Sequence, residues 1–291
     1  MDDLAALGRR VALVSIFLSA GLALAKITIG LMAGSTAVVS DGFESAGDVF
    51  ASSLVLLGLI IAAKPPDREH PYGHGRFEIL TGLWVGILLC ATGALICYRS
   101  IEHLHDTALP PRAYAIWPML ISIVLKSVSW SFKRVYGRKI RSESLTADAW
   151  NDAVDIVSGV TALIALSITL LDPVRFASAD QIGGCAVGLI VIFLGLHVSR
   201  DTTLQLMDTM PAPPMMKEIR ETAVSVPGAM GVEKCFARKT GLTYHVDLHL
   251  EVDPAMTVAA SHDIATEVKN RIKDRLDWVA DVLVHVEPHG K

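Results

Sequence analysis

Asp41-Gly42-Phe43-Glu44-Ser45-Ala46-Gly47-Asp48 and Asp148-Ala149-Trp150-Asn151-Asp152-Ala153-Val154-Asp155 decide how this chain reads. Each octet lies within or at the start of a run apolar enough to be buried in a membrane. Residues three, four and seven apart stack on one face of a helix. Asp41, Glu44 and Asp48 therefore form one polar stripe. Asp148, Asn151 or Asp152, and Asp155 form another. Each acid placed in a bilayer costs roughly 2.5–3.5 kcal/mol even on the mildest scale. Two matching acidic stripes require a cation between them.

The composition agrees with a membrane setting. Of 291 residues, 52% are hydrophobic and only 19% charged, and the mean hydropathy is +0.45. A net charge of −4 leaves no basic footprint for nucleic acid. Cys90, Cys97, Cys185 and Cys235 form no Cys-x-x-Cys pair, so neither a disulfide framework nor a thiolate metal site is expected. Arg9 and Arg10 precede an apolar run and Ala23-Leu24-Ala25 resembles a cleavage site. The run continues to Met32, however, and reads as a first spanning helix.

Six segments reach the roughly 20 apolar residues that a spanning helix needs. They lie at about 10–33, 36–62, 78–101, 113–135, 145–171 and 181–207. Gly34-Ser35, Pro65-Pro66, Pro110-Pro111 and Asp172-Pro173 break them apart. Basic residues mark the cytoplasmic side. They gather at Arg9 and Arg10, at Lys64, Arg68 and Arg76, and at Lys133, Arg134, Arg138, Lys139 and Arg141. Both termini are thus expected in the cytoplasm. No leader of the organellar kind is evident, which points to a prokaryotic inner membrane.

Beyond Pro211-Ala-Pro-Pro214 the pattern becomes that of a soluble domain. Lys217 to Val226 reads as an amphipathic helix, Val232 to Lys239 as a strand and Gly241 as a turn. From Tyr244 to Asp253 apolar and polar residues alternate strictly, the mark of a half-buried strand. Val258 to Leu276 reads as a helix and Val282 to Val286 as a strand. The fold class is therefore an α-helical membrane protein with a C-terminal α+β domain of αββαβ order, ferredoxin-like in type. The expected division is 1–210 and 211–291. The second part, about 80 residues, has a marginal core of its own, so dimerisation is expected.

With these elements in place, the chain resembles the cation diffusion facilitator family. Lys64-Pro-Pro-Asp-Arg-Glu-His-Pro-Tyr-Gly-His-Gly-Arg-Phe-Glu78 resembles the family's loop after the second helix. Ala147-Asp-Ala-Trp150 resembles its fifth-helix start, and Tyr244-His-Val-Asp-Leu-His-Leu250 its C-terminal strand. The resemblance implies a homodimer in a lipid bilayer that exchanges cytoplasmic divalent metal for protons. It places the transport site at Glu44, Asp48, Asn151 and Asp155, with Asp152 as an alternative to Asn151. Asp41 and Asp148, one turn earlier, become auxiliary positions for metal access or helix capping. The set departs from the family's common pattern, in which a His is present. Carboxylates and an amide are harder ligands than imidazole and suit Mn²⁺, Fe²⁺ or Mg²⁺ better than Zn²⁺, although zinc also accepts oxygen ligands.

The same resemblance implies further sites. Asp67, His70 and His74 match a metal site in the loop. Glu233, His249, His262, His285 and Glu287 match one in the cytoplasmic domain. Arg76 and Asp208 match a charge pair that supports the dimer. Lys26, inside the first helix, either snorkels or pairs with an acid such as Asp41. An alternative function is a non-transporting scaffold or metal sensor on the same fold. An enzyme is not expected, since no His-Glu-x-x-His is present and no nucleophile stands beside a base.

Overall fold

Among the described residues the chain forms six long helices, two shorter ones and a three-stranded sheet. The computed structural model describes the backbone of residues 2–33, 36–102, 116–171 and 179–290. Side chains are described from Ala6 onward, except at 30–44, 116, 118–119, 158, 162, 165–171, 179–181 and 183–184. The breaks expected at Gly34-Ser35, Pro110-Pro111 and Asp172-Pro173 fall outside these residues.

The helices are α1 (Asp2–Ala33), α2 (Thr36–Ala62), α3 (Arg76–Glu102), α4 (Ile116–Lys139), α5 (Glu143–Leu171) and α6 (Ala179–Leu206). Among the described residues, α1, α2, α3 and α6 contain stretches long and apolar enough to cross a membrane. Large apolar side chains such as Phe17, Trp84 and Phe193 point outward on them, as lipid contact requires. α4 is the most polar of the six, and α4 and α5 carry the charges Lys126 and Lys133, and Asp148, Asp152 and Asp155. Those side chains face one another, so the two helices hide their charges in a shared seam. α1 packs along α2, α4 along α5, and α2 also meets α5.

α3 and α6 approach closely through glycines. A Cβ on Gly93 would lie 2.8 Å from the Gly188 carbonyl oxygen, and one on Gly195 would lie 2.7 Å from the Cys90 amide. Small residues permit such backbone contact in a bilayer, where packing rather than the hydrophobic effect joins helices. The thiols of Cys90, Cys97 and Cys185 fill the same seam, donating to the carbonyls of Ile192, Cys185 and Cys97. All four cysteines are free.

The start of α5 is fixed from another helix. Ser142 is its N-cap, its Oγ accepting from the Leu145 amide at 3.1 Å. Glu78 of α3, fully buried, accepts from the Ser144 amide at 2.8 Å and from the hydroxyls of Ser142 and Ser144. A carboxylate at a helix N-terminus satisfies orphan donors and complements the dipole. This contact sets the position of α5 and hence of its acids.

A second unit comprises residues 65–76 and 203–290. It contains α7 (Pro213–Val224), β1 (Gly231–Thr240), β2 (Thr243–Val252), α8 (Val258–Arg275) and β3 (Val279–Pro288). The sheet order is β1-β2-β3, with β1 antiparallel and β3 parallel to β2. The parallel pair demands a crossover, which α8 supplies. Gly241, at φ +76°, makes the tight turn between β1 and β2. The alternation read in β2 holds: Val246, Leu248, Leu250 and Val252 are buried together with Ile219 of α7 and Val268 and Ile272 of α8.

Candidate metal transport site

α2 and α5 bring Asp48, Asn151 and Asp155 together. Asn151 Nδ2 donates to Asp48 Oδ1 at 2.8 Å. The other Asp48 oxygen lies 2.6 Å from Lys126 Nζ, and Asp155 Oδ2 lies 2.7 Å from the same nitrogen. Both carboxylates thus converge on one cationic atom. Their side chains keep some exposure, 10% for Asp48 and 22% for Asp155. Glu44 and Asp41 lie on α2 a turn or more before Asp48, but their side chains are outside the described residues.

Asp148 and Asp152 have a different environment. Both side chains are 0% exposed. Lys133 Nζ lies 2.9 Å from Asp148 and 2.8 Å from Asp152. Ser52 donates to Asp148 at 3.0 Å and Ser129 to Asp152 at 2.6 Å. Asp152 also holds Lys126 at 3.1 Å, so it links this sealed tier to the accessible one. The capping role expected as one option for Asp148 is therefore corrected: Ser142 and Glu78 cap α5, and Asp148 spends its charge on Lys133. Asn151 faces Asp48 across the seam, and Asp152 points to α4.

Sequence reasoning missed Lys126 altogether and read Lys133 only as a marker of sidedness. The signal was available, because a lysine within an apolar run has to find an anion or snorkel. Lys133 is 1% exposed and turned wholly inward. Lys26 does not snorkel either. It is buried and donates to Ser45 Oγ at 3.0 Å.

In the second unit, Asp67, His70 and His74 cluster with their ligand atoms within 4.8 Å of one another. An Asx-type turn builds the cluster: Asp67 Oδ1 accepts from the amides of His70 at 2.6 Å and Glu69 at 3.0 Å. The His70 amide holds the Asp67 carboxyl below its ordinary range, which keeps it ready as an anionic ligand. Asp67 Oδ2 faces His74 Nε2 at 3.4 Å.

His249, His285 and Glu287 form a second cluster of the same span. Parallel register sets His249 directly beside His285, with ring centroids 5.0 Å apart. Glu287 Oε1 lies 2.6 Å from His249 Nδ1, and hydrogen bonds with Glu233 and His249 hold its carboxyl below the ordinary range. Glu233, in the irregular stretch of β1, therefore adjoins the cluster. His262 does not. It is exposed on α8, whose inner face packs on Leu248 and Leu250, whereas His249 projects from the opposite face of the sheet. Strand parity separates the two within one chain. His245 and His289 bind Thr240 and Glu251 instead.

Arg76 and Asp208 form an ion pair within one chain. Asp208 sits at φ 59°, and the Thr209 amide reaches back to the Leu204 carbonyl at 3.2 Å. That is a Schellman closure of α6 with Asp in the left-handed position, and it aims the carboxylate at Arg76.

Comparison with known proteins identifies the family. The cation efflux transmembrane domain matches residues 12–207, and the cation efflux protein cytoplasmic domain matches residues 211–289. The chain belongs to the cation diffusion facilitator family and is a multi-pass membrane transporter of divalent metal cations, not an enzyme. The manganese efflux system protein MneP of Bacillus subtilis is 30% identical over 97% of this chain and 97% of its own length. Metal tolerance protein C1 of Arabidopsis thaliana is 30% identical over 92% of this chain and 60% of its own length. A solved MamM-CTD structure is 29% identical over 26% of this chain and 96% of its own, with a TM-score of 0.26.

Removing one ligand from the domain cluster gives a direct check. In the full-length protein, His249→Ala should weaken metal binding at that cluster by at least about tenfold, the scale that even supporting residues around a metal command. Maximal flux through the membrane site should be unchanged. Titration calorimetry paired with a flux assay reads both.

Proposed function

We propose that this chain exports divalent metal from the cytoplasm in exchange for protons, preferring Mn²⁺ or Fe²⁺ to Zn²⁺. It does so as a homodimer in a prokaryotic inner membrane, with both termini cytoplasmic. The observation that carries the reading is the convergence of Asp48 and Asp155 on one cationic position, with the Asn151 amide beside them. Among the described side chains no imidazole or thiol joins that group. Oxygen donors of this kind suit harder cations, whereas zinc gains most from nitrogen and sulfur. The likeness to MneP, a manganese efflux protein, supports the same preference.

Asn151 donates its amide N–H₂ to Asp48 here. To ligate a metal it turns through half a rotation of its terminal bond and presents Oδ1, which a primary amide does without changing shape. Protons are the other cations the carboxylates can take when metal leaves. Asp67 with His70 and His74, and His249 with His285, Glu287 and the neighbouring Glu233, act as cytoplasmic metal sites that report supply. The Arg76–Asp208 pair braces the dimer at the membrane surface.

The test is flux in proteoliposomes with Mn²⁺, Fe²⁺, Co²⁺ and Zn²⁺, each with and without a proton gradient. Gradient-dependent flux favouring Mn²⁺ or Fe²⁺ is expected. Zinc preference would overturn the selectivity argument alone. No flux of any ion from a folded dimer would favour a metal-sensing scaffold, a reading that rests on the two clusters of the second unit. Selectivity has a sharper check in Asn151→His. One imidazole among the oxygen donors should shift the Zn²⁺-to-Mn²⁺ flux ratio upward by about tenfold or more, in line with the preference of nitrogen sites for zinc. An unchanged ratio would remove Asn151 from the ligand set.

A further inference from the structure

Lys126 stands where the transported ion is expected. Its Nζ lies 2.6 Å from Asp48, 2.7 Å from Asp155 and 3.1 Å from Asp152, and its side chain is 3% exposed. The three acids come from α2 and α5, while the lysine comes from α4. Among the described residues, every acid paired with it lies on another helix. An ammonium group buried in a bilayer needs such partners, but partners around it need not be ligands of a substrate as well. Asp48 and Asp155 are both.

The partners divide into two kinds. Asp48 and Asp155 are the more accessible and adjoin Asn151. Asp152 is fully buried and is already anchored by Lys133 and Ser129. The ammonium can therefore give up the first two while keeping the third. Charge supports this. Among the described side chains of the seam, Asp48, Asp148, Asp152 and Asp155 face Lys126 and Lys133. These described carboxylates outnumber the described ammonium groups, so the seam keeps negative charge for a metal ion with both lysines in place. The lysine can thus stay charged and stay in the seam while a metal ion binds.

We propose that Lys126 is a tethered cation that holds Asp48 and Asp155 when metal is absent and withdraws onto Asp152 when metal binds. The inference rests on the transport site assigned above. It makes Lys126 a positioning residue with two consequences. It keeps the empty carboxylates from collapsing or repelling one another. It also competes with metal, which lowers affinity and speeds release. A ligand pays for every site that is occupied by a competing internal group, because only the fraction of free sites can bind it.

The experiment compares wild-type protein with Lys126→Met, Lys126→Arg and Asp155→Asn in proteoliposomes, with Mn²⁺ as the probe. For Lys126→Met the half-saturating Mn²⁺ concentration should fall by about tenfold, the factor expected if the lysine occupies about nine sites in ten, and maximal flux should fall as release slows. Lys126→Arg should restore a half-saturating concentration near the wild-type value. Mn²⁺ should raise the melting temperature of Lys126→Met more than that of wild type, since a metal ion takes over the neutralising role. Unchanged or weaker Mn²⁺ affinity in folded Lys126→Met would overturn the proposal. So would failure of that variant to fold at saturating Mn²⁺ while Lys126→Arg folds, because the lysine would then be a structural cation that metal cannot replace. Normal flux by Asp155→Asn would instead show that the site itself has been misplaced.

Discussion

Asp155→Asn, reconstituted beside wild type, should carry Mn²⁺ at least about 100-fold more slowly, because the loss removes a ligand charge as well as a ligand, and even groups around a metal's ligands command 10–100-fold. The protein should still fold. Asp155 is one of three acids around Lys126, and the other two remain within 2.6 and 3.1 Å. The ammonium therefore stays paired, and the substituted amide can still accept a hydrogen bond from it. Asp48→Asn should behave in the same way. Asp148→Asn should not, since Asp148 is sealed from any ion path by Lys133 and Ser52. That variant should retain flux. Flux that survives Asp155→Asn, or disappears in a folded Asp148→Asn, would reverse the assignment of the two tiers. Radioactive or fluorescent Mn²⁺ uptake into vesicles, normalised to reconstituted protein, distinguishes the cases.

How far the sequence led depended on what fixes each side chain's direction. In a strand, parity fixes it. The alternation from Tyr244 to Asp253 placed Leu248 and Leu250 in the core and His249 on the other face, as the structure has them. Parity also rules out the convergence of His262 with His249, since α8 covers the apolar face. In a helix the azimuth is known only relative to the helix's own residues. The polar positions on α2 and α5 were legible as stripes, and the family resemblance put Asp48 with the α5 set. Asn151 and Asp152, a single residue apart, could not be told apart until a neighbouring helix was placed. α4 made the difference: Lys126, Lys133 and Ser129 draw Asp152 one way and leave Asn151 to Asp48.

α4 itself was the least legible element. Its lysines lie in a segment whose apolar residues alone suggested a span, and charge counting assigned Lys133 to a cytoplasmic rim. A positive charge next to a membrane end and one buried in an ion pair look identical in one dimension. What separates them is the presence of acids at matching depth on another helix. Asp148 and Asp152, four apart on α5, are that complement to Lys133. Lys126, seven residues before Lys133, meets Asp155, seven residues after Asp148. The two helices run so that successive turns of one meet successive turns of the other, and this antiparallel matching is the signal that was available in the sequence.

The difference between a rim charge and a buried pair has a large measurable consequence. Lys133→Met leaves two fully buried carboxylates, Asp148 and Asp152, without their shared cation. Breaking a buried ion pair from one side costs about 3–5 kcal/mol, and for a chain of this size that corresponds to a fall on the order of 10 °C in melting temperature. The asymmetry of buried pairs provides the control. Replacing both partners by neutral groups of similar shape is far cheaper than removing one. Lys133→Met combined with Asp148→Asn should therefore recover much of the loss, with Asp152 still paired to Lys126 and Ser129. Tryptophan fluorescence during thermal unfolding in detergent gives both numbers. If Lys133 acted only as a sidedness marker, Lys133→Met would melt like wild type and the second substitution would rescue nothing. A rescue by Asp148→Asn, in contrast, would tie the stability of α4 against α5 to the sealed pair of acids that adjoins the proposed transport site.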